Sequence, residues 1–123
     1  MNKKTMLTTG ALLMAAGVAL GAFGAHALKD QLTASGRLET YELGIRYLMV
    51  HTLALILFGV LVDTYPRLRL SGWLLLAGIA FFSGSLLILS LTNNPAWGAV
   101  APIGGTSFIA GWLLAAYEII RRN

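Results

Sequence analysis

Between Arg69 and Glu118 the chain carries no Asp, Glu, Lys or Arg for 48 residues, positions 70–117. As one helix at 1.5 Å per residue this block would be about 72 Å long. That is more than twice the roughly 30 Å hydrocarbon core of a bilayer, so it must fold back on itself. A soluble domain of 123 residues has a high surface-to-volume ratio and needs polar side chains to cover it. Only 11% of this chain is charged, against roughly 25% in soluble domains. An ordinary soluble domain is excluded, and so is disorder. Within hydrocarbon the backbone can satisfy its polar groups only in helices or a closed barrel. The long apolar runs lack the period-two alternation of barrel strands. The predicted fold is therefore all-α: an integral membrane four-helix bundle forming a single transmembrane domain over 1–123.

Four spans follow from the lengths. Residues 5–28 are uncharged, 43–62 contain only Arg46 near the start, and the long block divides into 70–91 and 101–120. The division is written as Thr92-Asn93-Asn94-Pro95-Ala96-Trp97-Gly98, because Asn-Pro favours a turn and residues before Pro leave the helical region. Residues 63–69, with Pro66, join spans two and three. The 29–42 connection reads as helical, since Leu28, Leu32, Leu38, Tyr41 and Ile45 are spaced for an apolar stripe. Ser35-Gly36 marks its break, and the second long helix starts near Arg37. Lys3-Lys4 followed by an apolar run and Ala25-His26-Ala27 imitates a cleavable signal. The run exceeds the usual 7–15 residues, so it is expected to be retained as a span.

Orientation follows from the Lys/Arg bias. Lys3, Lys4, Arg67, Arg69, Arg121 and Arg122 fall on one side, and Lys29, Arg37 and Arg46 on the other. This predicts both termini in the cytoplasm. The basic residues form no run of five or more, so nucleic acid is not an expected partner. The chain has no cysteine and only two histidines, a poor ligand set, and neither metal nor cofactor is expected.

Small residues mark helix contact faces in lipid. Gly17-x-x-x-Gly21, Gly21-x-x-x-Ala25, Ala80-x-x-x-Gly84, Ala101-x-x-x-Gly105 and Ser107-x-x-x-Gly111 are the candidate faces. An internal repeat is also legible, Thr9-Gly10…Ala16-Gly17-Val18-Ala19 against Ser71-Gly72…Ala77-Gly78-Ile79-Ala80, as a parallel hairpin duplication would leave.

Chemistry-bearing residues are few. His51 falls near mid-span with Tyr47 one turn away, and an ionisable side chain at that depth needs a partner. It reads either as a proton-responsive imidazole or as a neutral ring hydrogen-bonded across helices to Ser83, Ser85, Thr106 or Ser107. His26, Arg46 and Glu118 read as interfacial, with Glu42 in reach of Arg46 and Arg121 or Arg122 in reach of Glu118. Pro102, with Gly104 and Gly105, reads as a helix break: Pro102 either opens the fourth helix or kinks a longer one. No catalytic motif is present.

Gly21-Ala22-Phe23-Gly24-Ala25-His26-Ala27-Leu28, the Tyr47…His51-x-Leu53-Ala54-Leu55 stretch, Phe82-Ser83-Gly84-Ser85-Leu86, and Ala101-Pro102-Ile103-Gly104-Gly105 with Phe108-Ile109-Ala110-Gly111-Trp112 resemble a bacterial family of small four-span membrane proteins of unknown function, whose animal relative is called transmembrane protein 256. The resemblance implies an integral protein of the bacterial inner membrane and transfers no catalytic role. The expected function is that of a non-enzymatic accessory, assembly or lipid-contacting protein. Its partners would be membrane lipids and a second copy or another membrane protein. The alternative is a small oligomeric transporter or channel using His51 and the 102–107 break.

Overall fold

A computed structural model of the protein describes residues 1–122. Helix α1, Lys3–Ala25, is capped by Asn2, whose side chain accepts from the Thr5 amide at 2.8 Å. Helix α2, Lys29–Ser35, stops at Gly36. There φ is +74°, and the Arg37 amide returns to the Leu32 carbonyl at 2.9 Å; this closing turn favours glycine. Helix α3 spans Leu38–Leu61. Helix α4, Leu68–Gly78, a π-helical turn, Ile79–Ser83, and helix α5, Gly84–Thr92, form one continuous span. Asn93 leaves it in the left-handed region at φ +53°. A 3₁₀ turn, Pro95–Ala99, leads into helix α6, Ala101–Arg122. Four of these stretches are long and apolar enough to cross a membrane.

Helices α3 and α4–α5 are central, with α1 packed chiefly on α3 and α6 on α4 and the π turn. The start of α1, the 62–67 connection and the end of α6 gather at one end. There Lys3 meets Asp63 and the Arg122 guanidinium donates to the Thr64 carbonyl. At the other end Arg37 donates to the Asn93 side chain at 2.7 Å.

The contact seams run through glycines, but not at the four-residue spacing the motifs suggested. Helix α1 buries Gly10, Gly17 and Gly24, seven residues apart. Side chains of Ile56, Leu48 and Tyr41 occupy the space where their Cβ atoms would stand. The Tyr41 hydroxyl donates to the Leu20 carbonyl across this seam. Helix α6 buries Ala101, Gly104, Phe108, Gly111, Ala115 and Glu118, in alternating steps of three and four. That is the heptad pattern of left-handed helix packing. Seven-residue steps drift only about 20° around a helix, whereas four-residue steps overshoot by about 40°. Helices in contact along their whole length therefore keep the former.

Of the tetrad faces, Ser107-x-x-x-Gly111 does lie on the α4 contact, where Ser107 donates to the Leu74 carbonyl and a Cβ on Gly111 would meet Leu74 and Leu75; those through Gly21 and Ala80-x-x-x-Gly84 are corrected. A Cβ on Gly21 would only touch Ile45, at 3.5 Å, and one on Gly84 only the Ile79 carbonyl, at 3.8 Å. Ala25 and Ala80 are exposed. Of the repeat-aligned glycines, Gly17 and Gly78 each receive a large side chain of the neighbouring helix, Leu48 and Phe108, while Gly72 meets Met6 of α1.

The tightest approach to backbone is at Gly104, where a Cβ would stand 2.7 Å from the Phe81 carbonyl carbon and against the Phe82 backbone. Backbone cannot step aside as a side chain does. Gly104→Ala is expected to destabilise the protein in mild detergent by about 1–3 kcal/mol, the range for overpacking. Gly84→Ala should stay within about 0.5 kcal/mol. Thermal melting of the two variants checks this, and equal effects would contradict the seam.

Candidate functional site

His51 sits at the centre of α3, one α-helical turn beyond Tyr47, and is buried. Its Nδ1 lies 2.8 Å from the Tyr47 carbonyl oxygen of its own helix; that acceptor places the proton on Nδ1. The imidazole stacks on Phe108 of α6, centroids 3.6 Å apart and planes 16° from parallel. Tyr47, Phe82 and Trp112 complete the surround, with Tyr47 stacked at 5.7 Å and Trp112 edge-on at 6.1 Å. Three elements thus meet on aromatic faces: α3, the π turn and α6.

Of the hydroxyls expected to partner His51, three are engaged elsewhere and Ser83 is not bonded to it. Ser85 donates to the Phe81 carbonyl at 2.6 Å and also lies 3.0 Å from that of Phe82, serving the stretch where the π turn disturbs the carbonyl ladder. Thr106 donates to the Pro102 carbonyl at 2.8 Å. Ser107 donates across to the Leu74 carbonyl of α4 at 2.7 Å. The Ser83 hydroxyl is buried with no hydrogen-bond partner among the described residues, as are those of Thr52 and Ser71. A Ser or Thr side chain in hydrocarbon reaches a carbonyl three or four residues back without ordering a second helix. His51, Ser85 and Thr106 satisfy themselves that way, whereas Ser107 ties α6 to α4.

Of the two readings of Pro102, the structure shows the one in which it opens the fourth helix; Gly104 and Gly105 make no break. Pro102 lies in the first turn of α6, where its missing N–H costs nothing. The helix then runs on through both glycines, and the irregular chain lies ahead of it as the 3₁₀ turn. Gly104 is there for close approach rather than for bending.

At the terminus-bearing end, Glu118 is fully buried. Its Oε2 lies 2.5 Å from Arg121 Nε and 3.9 Å from Arg67 Nε, and its Oε1 3.8 Å from Arg122 Nε. The Arg67 amide donates to it at 3.4 Å, and the Arg67 guanidinium lies over the Tyr117 ring, 5.9 Å from its centroid. One carboxylate thus fastens the end of α6 to the start of α4. The expected reach of Arg121 and Arg122 to Glu118 is observed; its complete burial and the contact with Arg67 go beyond that expectation. The available signal was its place in the series Gly104, Gly111, Glu118, seven residues apart on the buried seam. Beside it, Lys3 Nζ donates to Asp63 Oδ2 at 2.7 Å, and this bond holds the Asp63 carboxyl below its ordinary range.

At the opposite end His26 follows α1 and is exposed. Arg46 is exposed and, among the described residues, forms no ion pair with Glu42. Both residues line a cleft of about 300 Å³ between α1 and α3, walled by Gly21, Gly24, Ala25, Tyr41, Ile45 and Met49. A second cleft, about 360 Å³, runs along Leu43, Arg46, Tyr47, Val50 and His51. Among the described residues no three His, Cys, Asp or Glu side chains come together to hold a metal ion.

Removing the buried carboxylate would leave its arginines unanswered. Glu118→Gln is therefore expected to lower the detergent melting temperature more than Asp63→Asn. The depressed Asp63 pKa means that its bond to Lys3 stabilises the fold above the ordinary carboxylate range and is lost as pH falls through the lowered value. Melting across acid pH should show that limb in the native chain and not in Asp63→Asn. An identical limb in both would contradict the pairing.

Comparison with known proteins agrees with this architecture. Residues 20–105 match the family model described as protein of unknown function (DUF423). A UPF0382 membrane protein of Staphylococcus haemolyticus is 45% identical over 112 residues, covering 90% of this chain and 91% of the relative. The UPF0382 membrane protein YwdK of Bacillus subtilis is 36% identical over 121 residues, covering 96% and 98%. No solved structure matches. The chain is a membrane protein and belongs to the DUF423 family of proteins of unknown function.

Proposed function

We propose that the protein is a non-enzymatic component of the bacterial cytoplasmic (inner) membrane that works by contact, with lipids and with a second copy or another membrane protein that it helps to assemble. Both termini lie in the cytoplasm. The observation that carries this reading is the packing of His51: the costliest group within the span faces Phe108 at 3.6 Å and spends its Nδ1 on its own helix. A ring held between aromatic faces is a structural element. A proton relay would instead need a chain of polar neighbours. Four exposed residues of α3, Val50, Leu53, Leu57 and Val60, give that central helix an apolar outer stripe suited to lipid or to another span. The orientation is supported by six basic residues gathered at the terminus-bearing end against three at the other.

A second reading, a small oligomeric transporter or channel, is favoured by one feature. The π turn carries the buried Ser83 hydroxyl, which has no hydrogen-bond partner among the described residues, and π turns recur at functional sites. Proteoliposome flux separates the two. The contact reading expects proton and small-ion flux equal to that of protein-free vesicles, and His51→Leu to remain folded in detergent. Flux that varies with pH and disappears in His51→Leu would overturn it in favour of transport.

A further inference from the structure

We infer that the cleft between the C-terminal half of α1 and the N-terminal half of α3 seats one phospholipid with a primary-amine headgroup, its phosphate on Arg46 and its ammonium on Glu42. The inference rests on the lipid-contact reading above and adds the chemical class of lipid and the place where it sits.

Three observations converge. First, the packing seam leaves this slot open. It passes through Gly17 and Gly24, while the intervening Gly21 meets only Ile45 at ordinary contact distance and Ala25 is exposed. These small residues therefore border about 300 Å³ that α3 does not fill, with Ile45, Met49 and Tyr41 as the opposite wall. This volume lies at the low end for ligand clefts, and an apolar lining with a few placed polar groups is their usual character.

Second, the polar groups of the slot are one carboxylate and one guanidinium, a helical turn apart on α3. Neither forms an ion pair among the described residues. Their backbone positions are separated by about 6 Å of helix rise, commensurate with a headgroup that carries phosphate and ammonium a few bonds apart. The guanidinium fork matches a phosphate, and an ammonium with three N–H groups can donate to the carboxylate. A trimethylated choline has no N–H to donate. A glycerol headgroup has no cation to place there.

Third, the charge at this end cancels. Lys29, Arg37 and Arg46 are matched by Asp30, Glu39 and Glu42, so the net charge of +4 belongs wholly to the terminus-bearing end. A zwitterion suits the α1–α3 cleft, whereas an anionic lipid would be drawn to the opposite leaflet.

The full chain can be reconstituted into vesicles of equal parts phosphatidylethanolamine, phosphatidylcholine and phosphatidylglycerol, re-extracted in mild detergent, and its retained lipid read by native mass spectrometry. One lipid per chain is expected, with phosphatidylethanolamine enriched about five- to tenfold over either competitor, the discrimination one charge-assisted hydrogen bond supplies. Glu42→Gln should keep a lipid but lose the preference, and Arg46→Gln should lower retention of all three. Gly21→Leu should expel the lipid by filling the slot; Ala25→Leu, at an exposed position, repeats that test without touching the seam. Equal retention of the three lipids, a preference that survives Glu42→Gln, or retention unchanged when both slot variants are made would overturn the inference while leaving the contact reading in place. Retention of no lipid by the native chain would overturn both.

Discussion

Close approach of helix backbones holds this protein together. Lipid tails are as apolar as leucine, so burying apolar side chains between helices gains little over leaving them in the bilayer; packing contact must supply the difference. Gly10, Gly17 and Gly24 bring α1 onto the side chains of α3, and Gly78, Gly104 and Gly111 do the same for α6 against α4 and the π turn. The same economy explains the outward faces. Leu53, Leu57, Ile109 and Leu113 are more than half exposed, a liability in water but the proper coat for helices standing in hydrocarbon.

The sequence located the helices well because charge and turn chemistry bound them. Span 43–62 answers to Leu38–Leu61, 70–91 to Leu68–Thr92 and 101–120 to Ala101–Arg122, and Ser35-Gly36 separates α2 from α3 as its composition suggested. Span 5–28 was drawn three residues too far, since α1 ends at Ala25. What stayed illegible was rotation about each helix axis. Where lipid and protein interior are equally apolar, the side chains do not announce which face turns inward, so the choice between the four-residue and seven-residue glycine faces was undetermined. The site suffered for the same reason. His51 and Tyr47 were found together because they share one helix. The Phe108 stack and the bond from Ser107 to the Leu74 carbonyl depend on how α6 is turned against α4 and the π turn.

The two ends of the bundle solve different electrostatic problems. At the terminus-bearing end, buried Glu118 draws Arg67, Arg121 and Arg122 together, and Asp63 answers Lys3; the remaining cations favour an anionic membrane surface. At the other end acids and bases balance, and a cleft reaches from the charged pair Glu42 and Arg46 into the apolar slot between α1 and α3. Between the ends His51, Ser85 and Thr106 turn to the carbonyls of their own helices, and Ser107 to that of Leu74 on α4. In the contact function proposed above, such a molecule would meet its surroundings through its outer faces and its two rims.

The most direct test of hydrocarbon as the medium uses the absence of cysteine from the chain. Single cysteines placed at Leu53, Leu57 and Val60, all exposed on α3, and at Ser35 and Asn94, exposed at the end of α2 and in the turn before α6, can be challenged with a water-soluble maleimide in opened membrane vesicles. The three α3 positions should stay unlabelled while the other two positions react. Labelling of the α3 positions at the rate of those two would mean that water, and not lipid, covers that face, and the account would fail.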